Sequence, residues 1–232
     1  MKQKLLLRIK PYIFSDKISN FDFIENLGFE RVEKIRQYQT LVLYLDKDLD
    51  EIRKSFKQKW RNCLNQSERN DLKIRGGNDQ ELYNIFLEIY NQMISRKKFK
   101  EYVSPSRMGK MNEALDDDYK MKIFIVYKDE KPIGSIVGSA MGNTGIYLLG
   151  ASNEIGMKYK GSYLLQWEMI KWLKKIGVQR YDLGGINLDD NPGVYHFKSG
   201  ITNQEIFGMG TYQTFSSGLS KGIVSFGEFI KR

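Results

Sequence analysis

The 232-residue chain reads as an α+β protein with a central mixed, mostly antiparallel sheet flanked by helices. Three observations predict this class. Residues 121–127, 133–140 and 145–151 form three strand-like runs, joined by turn signals at Asp129-Glu130-Lys131-Pro132 and Gly142-Asn143. Helical periodicity brackets them: Gln80 to Arg96 turns Leu82, Ile85, Phe86, Ile89, Tyr90 and Met93 inward, and Gly161 to Ile176 does so with Leu165, Met169, Trp172, Leu173 and Ile176. Finally, 41% apolar and 13% aromatic residues supply enough surface to bury a substantial core, which excludes a disordered chain.

Each element has its own warrant. Residues 5–9 (LLLRI) form a strand ending before Pro11. Ser15 to Leu27 places Ile18, Phe21, Phe23, Ile24 and Leu27 in a short helical pattern closed by Gly28, and Gln39 to Leu45 is β-branched and aromatic enough for a strand. Two strands and a helix make an incomplete unit, so residues 1–46 read as the tail of a domain whose front is absent. Asp46 to Asn70 reads as the longest helix, its acidic first turn favouring the positive helix end and its stripe Leu49, Ile52, Phe56, Trp60 and Cys63 facing the core. Arg53, Lys57 and Arg61 then share one face; either a solvated surface or an anionic partner accommodates three like charges at that spacing.

Leu72 to Ile74 is a short strand followed by a turn at Gly76-Gly77. The helix from Gln80 runs into a basic cluster of Arg96, Lys97, Lys98, Lys100, Arg107 and Lys110, and Ser104-Pro105 caps and opens another short helix. Beyond Ile176 come a strand (Gln179 to Leu183), a turn at Gly184-Gly185, a polar loop, and an aromatic-rich segment, Tyr195-His196-Phe197-Lys198, closed by Ser199-Gly200. A strand (Ile206 to Phe215) and a helix (Leu219 to Ile230) finish the chain, so residues 47–202 form the principal domain and 203–232 pack back on the opening segment.

Composition narrows the chemistry. A formal charge of +9 and a pI near 9.3 suit a polyanionic partner: nucleic acid, anionic headgroups or a phosphorylated metabolite. The single cysteine, Cys63, excludes an intrachain disulfide and argues against a zinc cluster. His196 is the only histidine and lacks a flanking serine or acid in a nucleophile motif, which argues against a Ser-His-Asp hydrolase. The opening MKQKLLLRIK is too short in its apolar run for a signal peptide, and no stretch spans a bilayer, so a soluble, cytoplasmic protein is expected.

The stretch from Ile176 to Gly200 carries the sharpest signal. Two glycines after a strand free the backbone for close approach, and a lysine among rings can set a cation against a developing oxyanion. A surface loop with a solvated lysine also fits that spacing. Tyr159-Lys160-Gly161-Ser162 before a helix resembles the pyrophosphate loop of the GNAT acyltransferase fold, in a glycine-poor form.

In several stretches, in order, the chain is similar to the FemABX family, which is built from two GNAT-like domains. They are LRIKP near the start, Lys59-Trp60-Arg61, Ile94-Ser95-Arg96-Lys97-Lys98-Phe99, YLLGAS at 147–152, YLLQWEMIKW at 163–172, and YDLGGI with NPGVYHFKSG. The resemblance implies a GNAT-like fold and an aminoacyltransferase that moves an amino acid from aminoacyl-tRNA to the peptide stem of a peptidoglycan precursor. That precursor is lipid-linked (lipid II) or soluble (UDP-MurNAc-pentapeptide), and the reaction forms interpeptide bridges in cell-wall synthesis. No cofactor beyond the charged tRNA is implied. Lys198 would be catalytic, stabilising the tetrahedral intermediate's charge or the departing tRNA end. Phe197 would offer a ring to the terminal adenine, and Tyr195, Tyr147, Arg96, Lys97 and Arg61 would meet the substrates, although a buried phenol such as Tyr147 often only hydrogen-bonds the core. The shortened first domain leaves open a partner chain or homodimer and peripheral contact with the inner membrane face. Two rival readings stand: an acyl-CoA-dependent N-acyltransferase acting on a sugar nucleotide or envelope polymer, and a non-catalytic RNA- or envelope-binding module.

Overall fold

The computed structural model describes residues 6–11, 13–15, 22–97, 104–189 and 191–230. In chain order its elements are β1 (Leu6–Ile9), α1 (Phe23–Asn26), β2 (Glu30–Arg31), β3 (Gln39–Tyr44), α2 (Leu49–Ser55), α3 (Gln58–Glu68), β4 (Lys73–Gly77), α4 (Gln80–Lys97) and α5 (Pro105–Glu113). After these come β5 (Lys122–Lys128), β6 (Lys131–Met141), β7 (Thr144–Ser152), α6 (Glu154–Lys158), α7 (Gly161–Lys175), β8 (Arg180–Gly185), α8 (Pro192–Lys198), β9 (Glu205–Phe207), β10 (Tyr212–Phe215) and α9 (Gly218–Ile230). The chain divides into two compact units, residues 1–40 with 205–232, and residues 41–204.

In the first unit, β1, β10 and β2 form an antiparallel sheet, with Leu6 opposite Phe215 and Tyr212 opposite Arg31. Its buried cluster is Ile24, Met209 and Tyr212. Helix α9 adds an ion pair from Glu228 to Arg8 and another from Lys221 to Glu30.

The second unit carries the predicted α+β arrangement. Its strands run in the order β4-β5-β6-β7-β8-β3. The β4/β5, β5/β6 and β6/β7 pairs are antiparallel and β7/β8 is parallel, so the sheet is mixed and mostly antiparallel. Helix α4 covers one side through Leu82, Tyr83, Phe86, Ile89 and Met93; α3 and α7 supply a second cluster with Trp60, Leu64, Leu165, Met169 and Leu173. Both β6 and β7 are thereby apolar on two faces, which is why their sequences do not alternate cleanly.

Several expectations are corrected. The helix expected from Asp46 to Asn70 is two helices, α2 and α3, because Phe56 and Lys57 are extended (ψ 148° and 141°). The break lets Phe56 and Trp60 pack edge to face at 4.8 Å and lets the Lys57 amide donate to Gly200 O at 2.8 Å. Arg53, Lys57 and Arg61 therefore do not share one helical face. Gly76-Gly77 is not a turn but the end of β4, where a Cβ at Gly76 would lie 2.5 Å from the Phe124 ring. The tail strand is two strands, β9 and β10, separated around Gly210, whose φ is +102°. Of the helix expected over 15–27 only Phe23–Asn26 is helical among the described residues, and 16–21 lie outside them. The polar loop before Ser199 contains helix α8, started by the Asn191 side chain accepting from Val194 N and by Pro192 at the first position. Among the described residues no helix is long and apolar enough to cross a membrane, and no cluster of His, Cys, Asp or Glu could hold a metal ion.

Candidate active site

The β7/β8 junction builds the site. Parallel pairing runs from Thr144–Arg180 to Ile146–Asp182 and then stops. On its other side β7 is bulged against β6, since Val137 faces Leu149 while Gly138 faces Tyr147. A bulge adds an unpaired residue and re-aims its neighbours. Tyr147 here swings its hydroxyl over Gly150, where a Cβ would lie 2.1 Å from that oxygen. Gly184, expected in a turn, instead lies in the last part of β8, with φ +74° and its amide donating to Asp182 Oδ1 at 2.8 Å. A Cβ there would also meet Tyr147 O at 2.8 Å, so glycine is required twice over.

That end of β8 presents two carbonyls to Lys198, the last residue of α8. Lys198 Nζ donates to Gly184 O at 3.1 Å and to Gly185 O at 2.9 Å, and lies 5.5 Å from the centre of the Tyr147 ring. The residue is only 5% exposed. Burial lowers its pKa to about 8, against the opposing pull of the Asp182 charge. Tyr147 is pushed up to about 12 by burial and stays a neutral phenol. The solvated-lysine reading of the sequence is thereby overturned: neutral carbonyls and a ring surround this amine.

Phe197 stands beside it on α8. Its ring packs at 5.0 Å against Tyr163 and at 6.0 Å against Trp60, which in turn rests on Phe56. Close contact fixes the end of the helix: a Cβ at Gly200 would lie 2.3 Å from the Trp60 ring. Tyr147 and Phe197 both line a cavity of about 360 Å³, with Arg96, Ser135, Gln166 and Leu165 among its other walls. Arg96 reaches this wall from α4 and donates to Ser152 O at 3.2 Å.

Of the residues singled out in the sequence, the structure thus gathers Lys198, Phe197, Tyr147 and Arg96. Tyr195 packs against the core beneath α8. Arg61 instead donates to Lys54 O and Phe56 O, closing the end of α2. The side chain of Lys97, and Lys98 and Lys100 entirely, lie outside the described residues. The resemblance to a pyrophosphate loop meets Lys160 in the left-handed region, φ 60°, with no side-chain cap on α7. Sequence reasoning missed Asp182, Ser135 and Gln166. Asp182 lies within YDLGGI, an acid in an otherwise apolar strand, and Gln166 falls at helical spacing with the buried Met169 and Leu173; both were visible signals.

A sequence model of the FemAB family matches residues 111–219. A UDP-N-acetylmuramoylpentapeptide-lysine N(6)-alanyltransferase of Weissella viridescens is 27% identical over 160 residues, which are 68% of this chain and 43% of that one. The chain thus spans less than half the length of this relative. The crystal structure of FemX superposes with a TM-score of 0.82 at 16% identity, covering 95% of this chain and 74% of that chain. The structure of L-PGS from Bacillus licheniformis gives 0.53 at 14% identity, covering 91% and 70%. At these identities the structural likeness shows the fold.

Proposed function

We propose that this chain, whose residues 111–219 match the FemAB family model, is a member of the FemABX family and an aminoacyltransferase, moving an amino acid from aminoacyl-tRNA to an amine on the peptide stem of a peptidoglycan precursor in the cytoplasm. The observation that carries this reading is the buried ammonium of Lys198, held by two carbonyls beside two aromatic residues that line one cavity.

The attacking amine adds to the ester carbonyl of the charged tRNA, and the carbonyl oxygen becomes an alkoxide. Collapse of that intermediate forms the amide and expels the tRNA's terminal ribose oxygen, which takes up a proton. Two of the three Lys198 N–H bonds are committed to Gly184 O and Gly185 O, so the third is aimed by them. A pre-aimed donor in a low-dielectric site stabilises a developing oxyanion without reorganising at the moment of reaction. With a pKa of about 8 the amine is still mostly protonated at neutral pH, and it is also acidic enough to give a proton to the departing ribose oxygen. Phe197, buttressed by Tyr163 and Trp60, offers a fixed face for the terminal adenine. The net charge of +9 suits tRNA and the precursor's diphosphate alike.

The deciding experiment incubates the purified chain with a labelled, charged tRNA pool and a peptidoglycan precursor, lipid-linked or soluble, with and without ribonuclease. Ribonuclease-sensitive transfer of label is the expected result. No transfer, together with coenzyme A binding by calorimetry, would move the assignment to acyl-CoA chemistry.

A further inference from the structure

Two polar atoms on the wall of the cavity lack what burial demands. Ser135 Oγ and Gln166 Nε2 have no hydrogen-bond partner among the described residues, although Ser135 is 2% and Gln166 1% exposed. Buried polar groups are nearly always paired, so each orphan calls for an explanation. Both residues line the cavity that Tyr147 and Phe197 share.

The chemistry of the missing partner can be read from what surrounds it. The other end of the Gln166 amide is occupied, because Tyr181 Oη donates to Gln166 Oε1 at 2.8 Å. Turning the amide over exchanges the atom that faces Tyr181 and still leaves one polar atom unmet. Ser135 offers a hydroxyl, which both donates and accepts. Beyond these the wall carries apolar Met93, Ile136, Ala151 and Leu165 and polar Ser152, Ser162 and Asn191, and among the described residues no carboxylate lines it. A cationic group would therefore find no counter-charge among the described residues; Arg96 spends one N–H on Ser152 O and keeps others for an anionic part of the ligand, whereas Ser135 and the Gln166 amide are neutral and suit a neutral group. A hydroxyl is the smallest neutral group that both donates and accepts.

We propose that Ser135 and Gln166 bind a hydroxyl group at the aminoacyl-adenosine end of the donor, and so help to set which donor the enzyme accepts. This rests on the transferase reading above. Two hydroxyls have the required chemistry, the side-chain hydroxyl of a seryl or threonyl donor and the 2′-hydroxyl of the terminal ribose.

Three stable donor analogues separate them, each with an amide in place of the labile ester: 3′-serylamino-3′-deoxyadenosine, its alanyl counterpart, and the seryl compound lacking the 2′-hydroxyl. Affinities are measured by calorimetry on the wild type, Ser135→Ala and Gln166→Glu. In the wild type, loss of the recognised hydroxyl is expected to weaken binding roughly 10-fold or more. A penalty on the alanyl compound names the side chain as its source, and one on the 2′-deoxy compound names the ribose. Ser135→Ala should shrink that preference to within about twofold while leaving the melting temperature of the empty protein unchanged or raised, since it removes an unpaired buried hydroxyl. Gln166→Glu keeps the acceptor for Tyr181 and should also weaken binding of the preferred analogue. Equal binding of all three analogues, or a preference untouched by Ser135→Ala, overturns the inference. Binding of none overturns it too, and if acetyl-coenzyme A binds instead, the transferase reading falls with it.

Discussion

The two units of this protein are held in different ways. Residues 41–204 bury two large clusters, which contain rings as big as Trp60 and Tyr181 in one and Phe86 in the other. In the other unit the described cluster is Ile24, Met209 and Tyr212, with Phe14, Val32 and Ile206 also buried, and strand pairing and the Arg8–Glu228 and Lys221–Glu30 ion pairs add to these. Exposed pairs of that kind contribute only about 0–1 kcal/mol each. Along α9, Leu219, Ile223, Phe226 and Ile230 recur at helical spacing and remain exposed. The difference teaches where precision resides. Every side chain of the candidate site belongs to the unit with the large core, and fixed geometry for Lys198 and Phe197 needs packing of that density.

The strongest way to sharpen that comparison is to remove the group the dense unit holds in place. Lys198→Ala is expected to reduce transfer about 10²- to 10³-fold, the range seen when one oxyanion donor is lost. Its melting temperature should stay near the wild type, since a buried amine held by neutral carbonyls is costly to bury. Transfer at the wild-type rate would remove Lys198 from the chemistry.

A core substitution should link stability to activity in one unit and uncouple them in the other. Trp60→Ala is expected to cost about 3–5 kcal/mol, because the indole packs on Phe56, Tyr163 and Phe197. It should also lower transfer by freeing the Phe197 ring. Met209→Ala, fully buried in the smaller cluster, is expected to lower the melting temperature with no such selective loss. Hydrogen exchange gives a further check: amides of β1 and β10 should exchange before those of β5 and β6. The reverse order would refute the contrast.

Much of this architecture was legible in the sequence, and the illegible parts have definite causes. The three central strands and helices α4 and α7 announced themselves by turn chemistry and 3.6-residue periodicity. The break at Phe56–Lys57 did not, because helical spacing continues through it: Ile52, Phe56 and Trp60 all point inward whether or not the backbone is continuous. Helix α8 was hidden by its opening Asn191-Pro192-Gly193, which reads as a loop although Asn and Pro are also a cap and a first helical residue. The FK pair was found by resemblance. The Gly184 and Gly185 carbonyls that hold the lysine were not, since a backbone acceptor leaves no mark in sequence beyond the glycines that allow it.

The pH response of Lys198 tests its environment with a smaller effect. Its pKa is lowered to about 8 in the folded chain from an ordinary 10.5, so between those values the unfolded chain binds more protons. The contribution of this group to stability therefore rises as pH goes from about 8 to 10.5. The difference in melting temperature between wild type and Lys198→Met should shift in the wild type's favour across that window. Transfer should instead decline above about 8, as the ammonium that stabilises the oxyanion is lost. A rate that climbs through this range would indicate that the free amine is the active form.

The smallest effect is expected at Arg61, and it separates a structural cation from a substrate-binding one. Arg61 donates to Lys54 O and Phe56 O, carbonyls left unpaired where α2 ends. Arg61→Ala should therefore cost about 1 kcal/mol by thermal or urea unfolding, the net worth of a typical hydrogen bond. Transfer should stay within about twofold of the wild type. If Arg61 also met a phosphate of the tRNA, the same variant would weaken tRNA binding and flatten its dependence on salt by roughly one unit of slope. A titration of tRNA binding at several salt concentrations distinguishes the two. An unchanged slope with lowered stability assigns Arg61 to the α2–α3 break, whereas a flattened slope at unchanged stability extends the tRNA-binding surface from the cavity onto α3.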